Sequence, residues 1–525
     1  MHITVYDATL REGAQGPGAS FSLEDRLRMV ELLDALGVDY IEAGQPTASR
    51  TDVETFRQLA QNPPKTSRLA AFGSTRRPGI PAERDEGLNA LLLANTPSVT
   101  IFGKCWDLHV DVVLRTSLDE NLAMIEDSVR FLKEAGREVI FDAEHFFDGC
   151  RDNEEYAFAA LFAAKKGGAD WICLCDTNGG TLPEDISRFT AKAVAQLGIP
   201  VGIHCHNDSG LAVANSMAAV VAGATMVQVT LNGWGERCGN ADFFTLIPNL
   251  QLKMGYHCIC PEAMPSLCSF SRDIYEMMNR PPDKRAPYVG KNAFSHKAGM
   301  HIDAVEKNPL TFEHVPPESV GATRQFLLSR MSGRSAVFNK IREIDSSITK
   351  DSEAVKEITE LLKEMESDGY LFEGAEASFE LMVRRKLGLF KPFFHLEEYK
   401  VVGTSPADEG HTCTAMVRLS VNGVQEINAA DGYGPVNALD IAARKALERF
   451  YPELKQMRLS DFKVRVLSSK STASKVRVLI ESTDGVNTWT TVGVDYDIMQ
   501  ASSIALFDSL EYMLMKTDAF KEVEP

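Results

Sequence analysis

The sequence predicts a (β/α)8 barrel, then a helical connecting region, then a C-terminal α+β domain built from an internal repeat. Three observations carry this reading. Eight short β-type runs alternate with helical patterns through the first half of the chain. Proline pairs break up the middle. In the last third, three separate features recur at one common offset.

The β-type runs are Ile3–Tyr6, Tyr40–Ala43, Leu69–Phe72, Val99–Phe102, Val139–Asp142, Trp171–Leu174, Val201–His204 and Met226–Leu231. Each begins about 25 to 40 residues after the last, the length of a strand plus a crossover helix. Between the first two, Ser22-Leu23-Glu24-Asp25 reads as a helix N-cap with an acid at the third position. Leu23, Leu27, Val30 and Leu33 follow at helical spacing, and Gly37 ends the segment. Eight such units close a barrel near residue 250. The rival is a doubly wound open sheet, which would not set the eighth strand beside the first.

From about Pro261 to Gly369 the pattern changes. Pro281-Pro282, Pro287 and Pro316-Pro317 cut it into short pieces, and helical periodicity returns in Ser335–Ile341 and Ser352–Met365. Beyond it, Tyr399–Val402 is echoed by Phe462–Arg465, Asn422-Gly423 by Asp484-Gly485, and a helix at Val436–Phe450 by one at Ile498–Met515. The offset is about 62 or 63 residues each time. Each copy reads as a strand, a hairpin with a tight turn and a helix. Two copies make one domain with a pseudo-twofold axis. The expected divisions are 1–265 for the barrel, 266–390 for the connecting helices and 391–525 for the repeat domain.

Size and composition narrow the possibilities. At 525 residues the chain exceeds one ordinary core. An apolar fraction of 44% with 24% charged residues is that of a soluble globular protein. The net charge of −18 argues against nucleic acid or an anionic membrane as partner. Ten scattered cysteines form no disulfide framework, and the Cys173/Cys175 and Cys258/Cys260 pairs read as reduced thiols. No apolar run reaches ~18 residues and no leader precedes Ile3, so a cytoplasmic location is expected.

The chemistry is carried by two short stretches, Asp7-Ala8-Thr9-Leu10-Arg11-Glu12-Gly13 and His204-Cys205-His206-Asn207-Asp208. Residues at i and i+2 on a strand share a face, so His204 and His206 can share a cation. In a barrel the functional side chains follow the strand ends. That rule collects Arg11, Glu12, Glu42, Gln45, Lys104, Asp107, Glu144, Asp176, Thr177, Asn178, His204, His206, Asp208, Asn232, Glu236, Arg237 and Asn240 in one ring.

Closure sets strands one, seven and eight side by side, which brings Glu12, His204, His206 and Asn240 within reach of one ion. Such a set suits Zn²⁺, Mn²⁺, Mg²⁺ or Co²⁺ with open positions, where a 2-oxo acid can chelate through keto and carboxylate oxygens. Arg11 is then placed to stabilise an oxyanion. The glycines of Gly233–Asn240 suit close approach of backbone to a ligand. His301 lies outside the barrel, and its sequence context is equally that of a surface histidine or of a residue folded over the mouth.

Asp7–Gln15, His204–Asp208, Gly235–Ala241, Gly290–Phe294 and His296–His301 together resemble the metal-dependent Claisen-condensing barrels, the isopropylmalate, homocitrate and citramalate synthases. They are similar, more distantly, to related lyases and carboxyltransferases. The resemblance covers nearly the whole chain. Phe372–Glu380, Asp431–Val436 and the surroundings of Glu144 look most like the citramalate branch.

That branch condenses acetyl-CoA with pyruvate to (R)-citramalate and CoA on a route to isoleucine. Isopropylmalate or homocitrate synthesis from another 2-oxo acid is the alternative, and a lyase on the same metal a more remote one. The resemblance implies Glu12, His204, His206 and Asn240 as metal positions and Arg11 and Glu144 as catalytic. It sets Thr177, with Asn178 beside it, at the 2-oxo acid together with Arg11, and gives His301 as candidate acid/base. Glu12 departs from many isopropylmalate synthases, which have Asp there, and matches homocitrate synthases, so it does not settle the substrate. The last domain is expected to make a homodimer and to bind an amino-acid effector such as isoleucine.

Overall fold

A computed structural model describes residues 1–326, 334–405, 412–467, 473–485 and 487–517. The chain divides into two compact units. The first comprises Met1–Phe294 with Glu313–Arg324; the second comprises Ser295–Phe312 and the chain from Gln325 onward.

The first unit is a closed barrel of eight parallel strands. They are β1 (Thr4–Asp7), β2 (Tyr40–Glu42), β3 (Arg68–Ser74), β4 (Ser98–Lys104), β5 (Glu138–Glu144), β6 (Trp171–Asp176), β7 (Val201–Cys205) and β8 (Met226–Val229). Every expected run forms a strand. Closure is explicit: Thr4 to Asp7 pair in register with Met226 to Val229, which excludes the open sheet.

The helix Leu23–Leu36 begins at a capping box, with Ser22 accepting from the Asp25 N–H and the Asp25 carboxylate accepting from Ser22. It ends at Gly37 in a left-handed conformation, φ 78°. A lower layer of the lumen is filled by Tyr40, Ala70, Ile140 and Met226. Outside the strands, a larger apolar core packs them against the helices.

In the second unit, the two expected connecting helices form as Arg334–Ile344 and Glu353–Asp368, the latter capped by Ser352. The repeat is present as two three-stranded antiparallel sheets, each followed by a helix. With β9 (Ser295–His296) and β10 (Gln325–Phe326) forming a small pair, the first copy is β11 (His395–Gly403), β12 (Cys413–Val421), β13 (Val424–Gly432) and the helix Pro435–Leu447. The second is β14 (Arg458–Val466), β15 (Val476–Thr483), β16 (Thr488–Asp495) and the helix Ile498–Lys516.

Even the irregularities repeat. A register shift falls between Leu396 and Glu398 in one copy and between Leu459 and Asp461 in the other. The hairpins differ. Asn422-Gly423 makes the expected two-residue turn with positive φ at both positions. The second hairpin is longer than expected, because β15 stops at Thr483 and β16 resumes at Thr488. There the Asp484 carboxylate accepts from the Asn487 N–H at 2.6 Å and Thr483 Oγ1 accepts from the Gly485 N–H at 3.0 Å, so side chains cap the wider loop. Among the described residues no helix is long and apolar enough to cross a membrane.

Candidate active site

The turn after β1 is built by its own side chains. Asp7 accepts from the Thr9 N–H at 3.0 Å and the Thr9 hydroxyl at 2.9 Å. The Thr9 oxygen accepts from the Leu231 N–H at 2.8 Å, which ties the end of β1 to the segment after β8. The Ala8 carbonyl then accepts from Glu12 N at 2.8 Å, so the chain curls back and turns Arg11 and Glu12 inward.

At the end of β7, Asn240 forms an isolated antiparallel bridge with His206. The glycine run makes this possible. Gly239 has φ +83°, and a Cβ there would meet the Gly233 carbonyl at 2.0 Å. A Cβ on Gly235 would press against the Asn240 amide.

These devices bring Glu12, His204 and His206 together, with one ligand atom of each within 4.8 Å of the others, all buried. His206 Nε2 lies 3.5 Å from Glu12 Oε1. His206 Nδ1 and both amide atoms of Asn240 are buried without a hydrogen-bond partner. Buried polar atoms are rarely left so. That these particular atoms are unpaired fits residues arranged for a divalent cation.

The electrostatics agree. Burial would raise Glu12, but Arg11 and the two imidazoles bring it down to about 2. Burial, reinforced by His204, lowers His206 to about 3. Burial likewise lowers His204, against the opposing pull of Glu12 and the nearby Gln228 amide. The set is therefore an ionised carboxylate with two neutral imidazoles, the forms that ligate metal.

Arg11 adjoins this set. It pairs with Glu12 on one side, and its Nε donates to Glu42 Oε1 at 2.6 Å on the other. Its guanidinium lies 3.7 Å from the centroid of the Phe72 ring. Glu42 is fully buried and also accepts from the Tyr6 hydroxyl at 2.8 Å. Burial raises Glu42, with Arg11 and Tyr6 opposing.

The remaining predicted ring members divide into two kinds. Glu144, at the end of β5, pairs with Lys104 from the end of β4. Thr177 Oγ1 accepts from the His145 N–H at 2.9 Å, and Asn178 donates to Asp148 at 2.9 Å. These stand at the strand ends without joining the metal set.

The others are scaffolding. Asp208 and Arg237 pair through two bonds of 2.8 and 2.9 Å, while Arg237 also donates to the Thr177 carbonyl at 2.7 Å, locking three loops. Glu236 pairs with Arg237 as well. Asp176 is buried holding Thr181, and Asn232 accepts from Ser271 at 2.6 Å. Asp107 accepts from Asn153 and Gln45 donates to Thr47. His301 belongs to the second unit, on the exposed side of the helix Gly299–Lys307, its ring stacked on Phe312 at 4.0 Å. Tyr6, Phe72, Asp142 and Gln228 were not predicted. Their signal was available, since Asp142 and Gln228 are polar residues inside two of the apolar runs.

The family described as HMGL-like matches residues 2–263, that described as homocitrate synthase post-HMGL domain-like matches 288–369, and the LeuA allosteric (dimerisation) domain matches 373–514. Over its full length the chain is 50% identical to an (R)-citramalate synthase of Aquifex aeolicus, covering 98% of each. It is 49% identical to an (R)-citramalate synthase of Synechocystis, covering 97% of this chain and 96% of that one. The chain belongs to the (R)-citramalate synthase family. A probable 2-isopropylmalate synthase of Methanopyrus kandleri is more distant, 32% identical over 95% of this chain and 96% of its own. The barrel is therefore the part shared with the HMGL-like family, and the repeat domain is the part that matches the allosteric and dimerisation module.

Proposed function

We propose that this chain condenses acetyl-CoA with pyruvate and water to give (R)-citramalate and CoA, serving a pyruvate-derived route to isoleucine. The observation that carries the reading is the Arg11 guanidinium fixed between Glu12 of the metal set and the buried Glu42. Full-length likeness to (R)-citramalate synthases supports pyruvate over the larger 2-oxo acids.

Glu12, His204, His206 and Asn240 would hold the ion, of the Mn²⁺, Mg²⁺, Zn²⁺ or Co²⁺ type. Such an ion, when bound, supplies Lewis-acid polarisation of a keto group. Arg11 faces the oxygen on which negative charge builds. Because Glu42 and Phe72 already pin it, little reorganisation is needed as that charge forms. The Thr177 oxygen accepts from the His145 N–H, which leaves its own proton to give to the 2-oxo acid, with Asn178 beside it.

A base then removes a proton from the acetyl-CoA methyl group. Glu144 and His301 are its two candidates. The methylene carbon adds to the keto carbon of pyruvate, and the keto oxygen takes up a proton. Water finally displaces CoA from the thioester, which makes the sequence irreversible. The free thiols of all ten cysteines suit a reducing cytoplasm.

The test is thiol release from acetyl-CoA with a panel of 2-oxo acids, with and without chelator. Pyruvate is expected to be strongly preferred and chelator to stop the reaction. Preference for 3-methyl-2-oxobutanoate or 2-oxoglutarate would overturn the substrate. For the repeat domain, the reading is a homodimer whose effector is isoleucine. Millimolar isoleucine should change rate or melting temperature, and no effect on either would remove that part.

A further inference from the structure

Barrel interiors are ordinarily filled by layers of branched aliphatic side chains. Nearer the mouth than the Ile140 and Met226 layer, this lumen turns polar. Asp142 of β5 and Gln228 of β8 are 4% and 1% exposed. Gln228 Nε2 donates to Asp142 Oδ1 at 2.8 Å. The bond crosses the lumen, since β5 and β8 lie three strands apart around the barrel. Two apolar side chains would fill the space without burying a carboxyl and an amide, so the pair calls for a reason beyond packing.

The bond also fixes which way the amide faces. With Nε2 committed to Asp142, Gln228 is left with Oε1, a buried acceptor that makes no well-formed hydrogen bond. Gln228 is the register neighbour of His204, whose Nδ1 is also buried without one. An imidazole that ligates a metal through one nitrogen carries its proton on the other. That proton needs an acceptor to fix the tautomer and the ring.

We propose that Gln228 is a positioning residue for the metal, its Oε1 accepting the free ring N–H of His204, and that Asp142 holds the amide in that orientation. Without Asp142 the amide could rotate and set its NH₂ against the imidazole N–H, donor against donor. The inference rests on the metal reading above.

The test is calorimetric titration of Mn²⁺ into the metal-free full chain, beside the melting temperature of the metal-free protein. Gln228→Met, similar in volume but without the acceptor, should weaken the Mn²⁺ Kd about 10- to 100-fold while the metal-free melting temperature holds or rises. Asp142→Leu should weaken it comparably. Asp142→Asn, which keeps an acceptor for Nε2, and Gln228→Glu, which keeps one for His204, should both stay within about threefold. Should Gln228→Met fail to fold, the contrast between Gln228→Glu and Asp142→Leu decides instead.

A Gln228→Met Kd within twofold of wild type overturns the proposal. So does a larger loss in Asp142→Asn than in Gln228→Met, which would make Asp142 a ligand itself, with the Cys173 and Cys175 thiols beside it. No Mn²⁺ bound by the wild-type chain would instead overturn the metal reading.

Discussion

Arg11 Nε donates to Glu42 Oε1 at 2.6 Å while the same guanidinium pairs with Glu12 on its other side, so one cation is gripped by a scaffold carboxylate and by a metal-set carboxylate at once. Neither partner alone would fix it. Glu42 is itself held by Tyr6, whose hydroxyl also meets Thr100 at 2.8 Å. The orientation of Arg11 is thus set by three strands before any substrate arrives.

Arg11→Lys should therefore lose far more than Arg11 contributes to folding. A lysine keeps the charge but cannot make the two-sided fork. We expect kcat to fall about 10²- to 10³-fold, the scale for removing one oxyanion donor, with the Mn²⁺ Kd changed much less. Steady-state kinetics beside calorimetry checks this. A loss confined to KM would mean Arg11 binds substrate without stabilising developing charge.

His204→Ala should abolish thiol release and Mn²⁺ binding while the circular dichroism spectrum stays that of the wild type. His204 is buried among groups that lack partners, so its loss removes a ligand rather than a packing contact. Near-normal turnover would sink the metal assignment.

The protonation states of the ligands give a sharper test. With Glu12 at about 2 and His206 at about 3, neither holds a proton at neutral pH. Metal uptake at pH 7 should then release fewer than ~0.2 protons per ion, read from the buffer dependence of the binding enthalpy. Affinity should stay flat from pH 8 to about 5, well above both ligand values. Release of a full proton at pH 7 would contradict the neutral imidazole pair.

Much of this site was legible in the sequence for one physical reason. Strand periodicity fixes which residues share a face, and barrel closure fixes which strands are neighbours. Those two rules set the strand ends that carry Glu12 and His204, far apart in sequence, side by side, and the turn after β1 does the rest. The loop chemistry was less legible. Asp208, Glu236 and Arg237 carry the same charges as catalytic residues, yet they pair among themselves to fix three loops. Only side-chain direction distinguishes the two uses. The inner polar layer was missed because Asp142 and Gln228 sit inside apolar runs, where a strand reading assigns them to filler. In the repeat, the common offset held through strands, bulge and helix, but the second turn loosened where Asp484 caps its own loop.

Asp142 makes a stability prediction of definite sign. Burial first, then the neighbouring Glu42, raises it from 3.8 to about 8. The folded chain keeps this proton up to about pH 8, whereas the unfolded chain releases it near pH 4, so raising pH across that window costs the fold. Asp142→Asn removes the cost. The variant should melt close to wild type at pH 4 and gain steadily toward pH 8, by roughly 2–5 kcal/mol at about 1.4 kcal/mol per unit. A gain that shrinks with rising pH would place a charged Asp142 in the barrel.

The repeat domain makes the last prediction. β11 and β14 are nine-residue edge strands, long enough to recruit another chain if left open. On β14, Phe462, Val464 and Val466 share the face of the buried Ile480 and Val478 yet are themselves exposed, so the apolar face of this sheet runs on uncovered at its edge. A soluble monomer would put charge there. The arrangement suits burial against a second copy, in keeping with the dimerisation module that this region matches. Val464→Lys should therefore shift the chain from dimer toward monomer in light scattering without lowering the barrel's Mn²⁺ affinity. Because the substitution adds a charge to an already exposed position, it should leave the monomer's own stability within about 0.5 kcal/mol. A dimer that persists unchanged at micromolar concentration would show that its contact lies elsewhere.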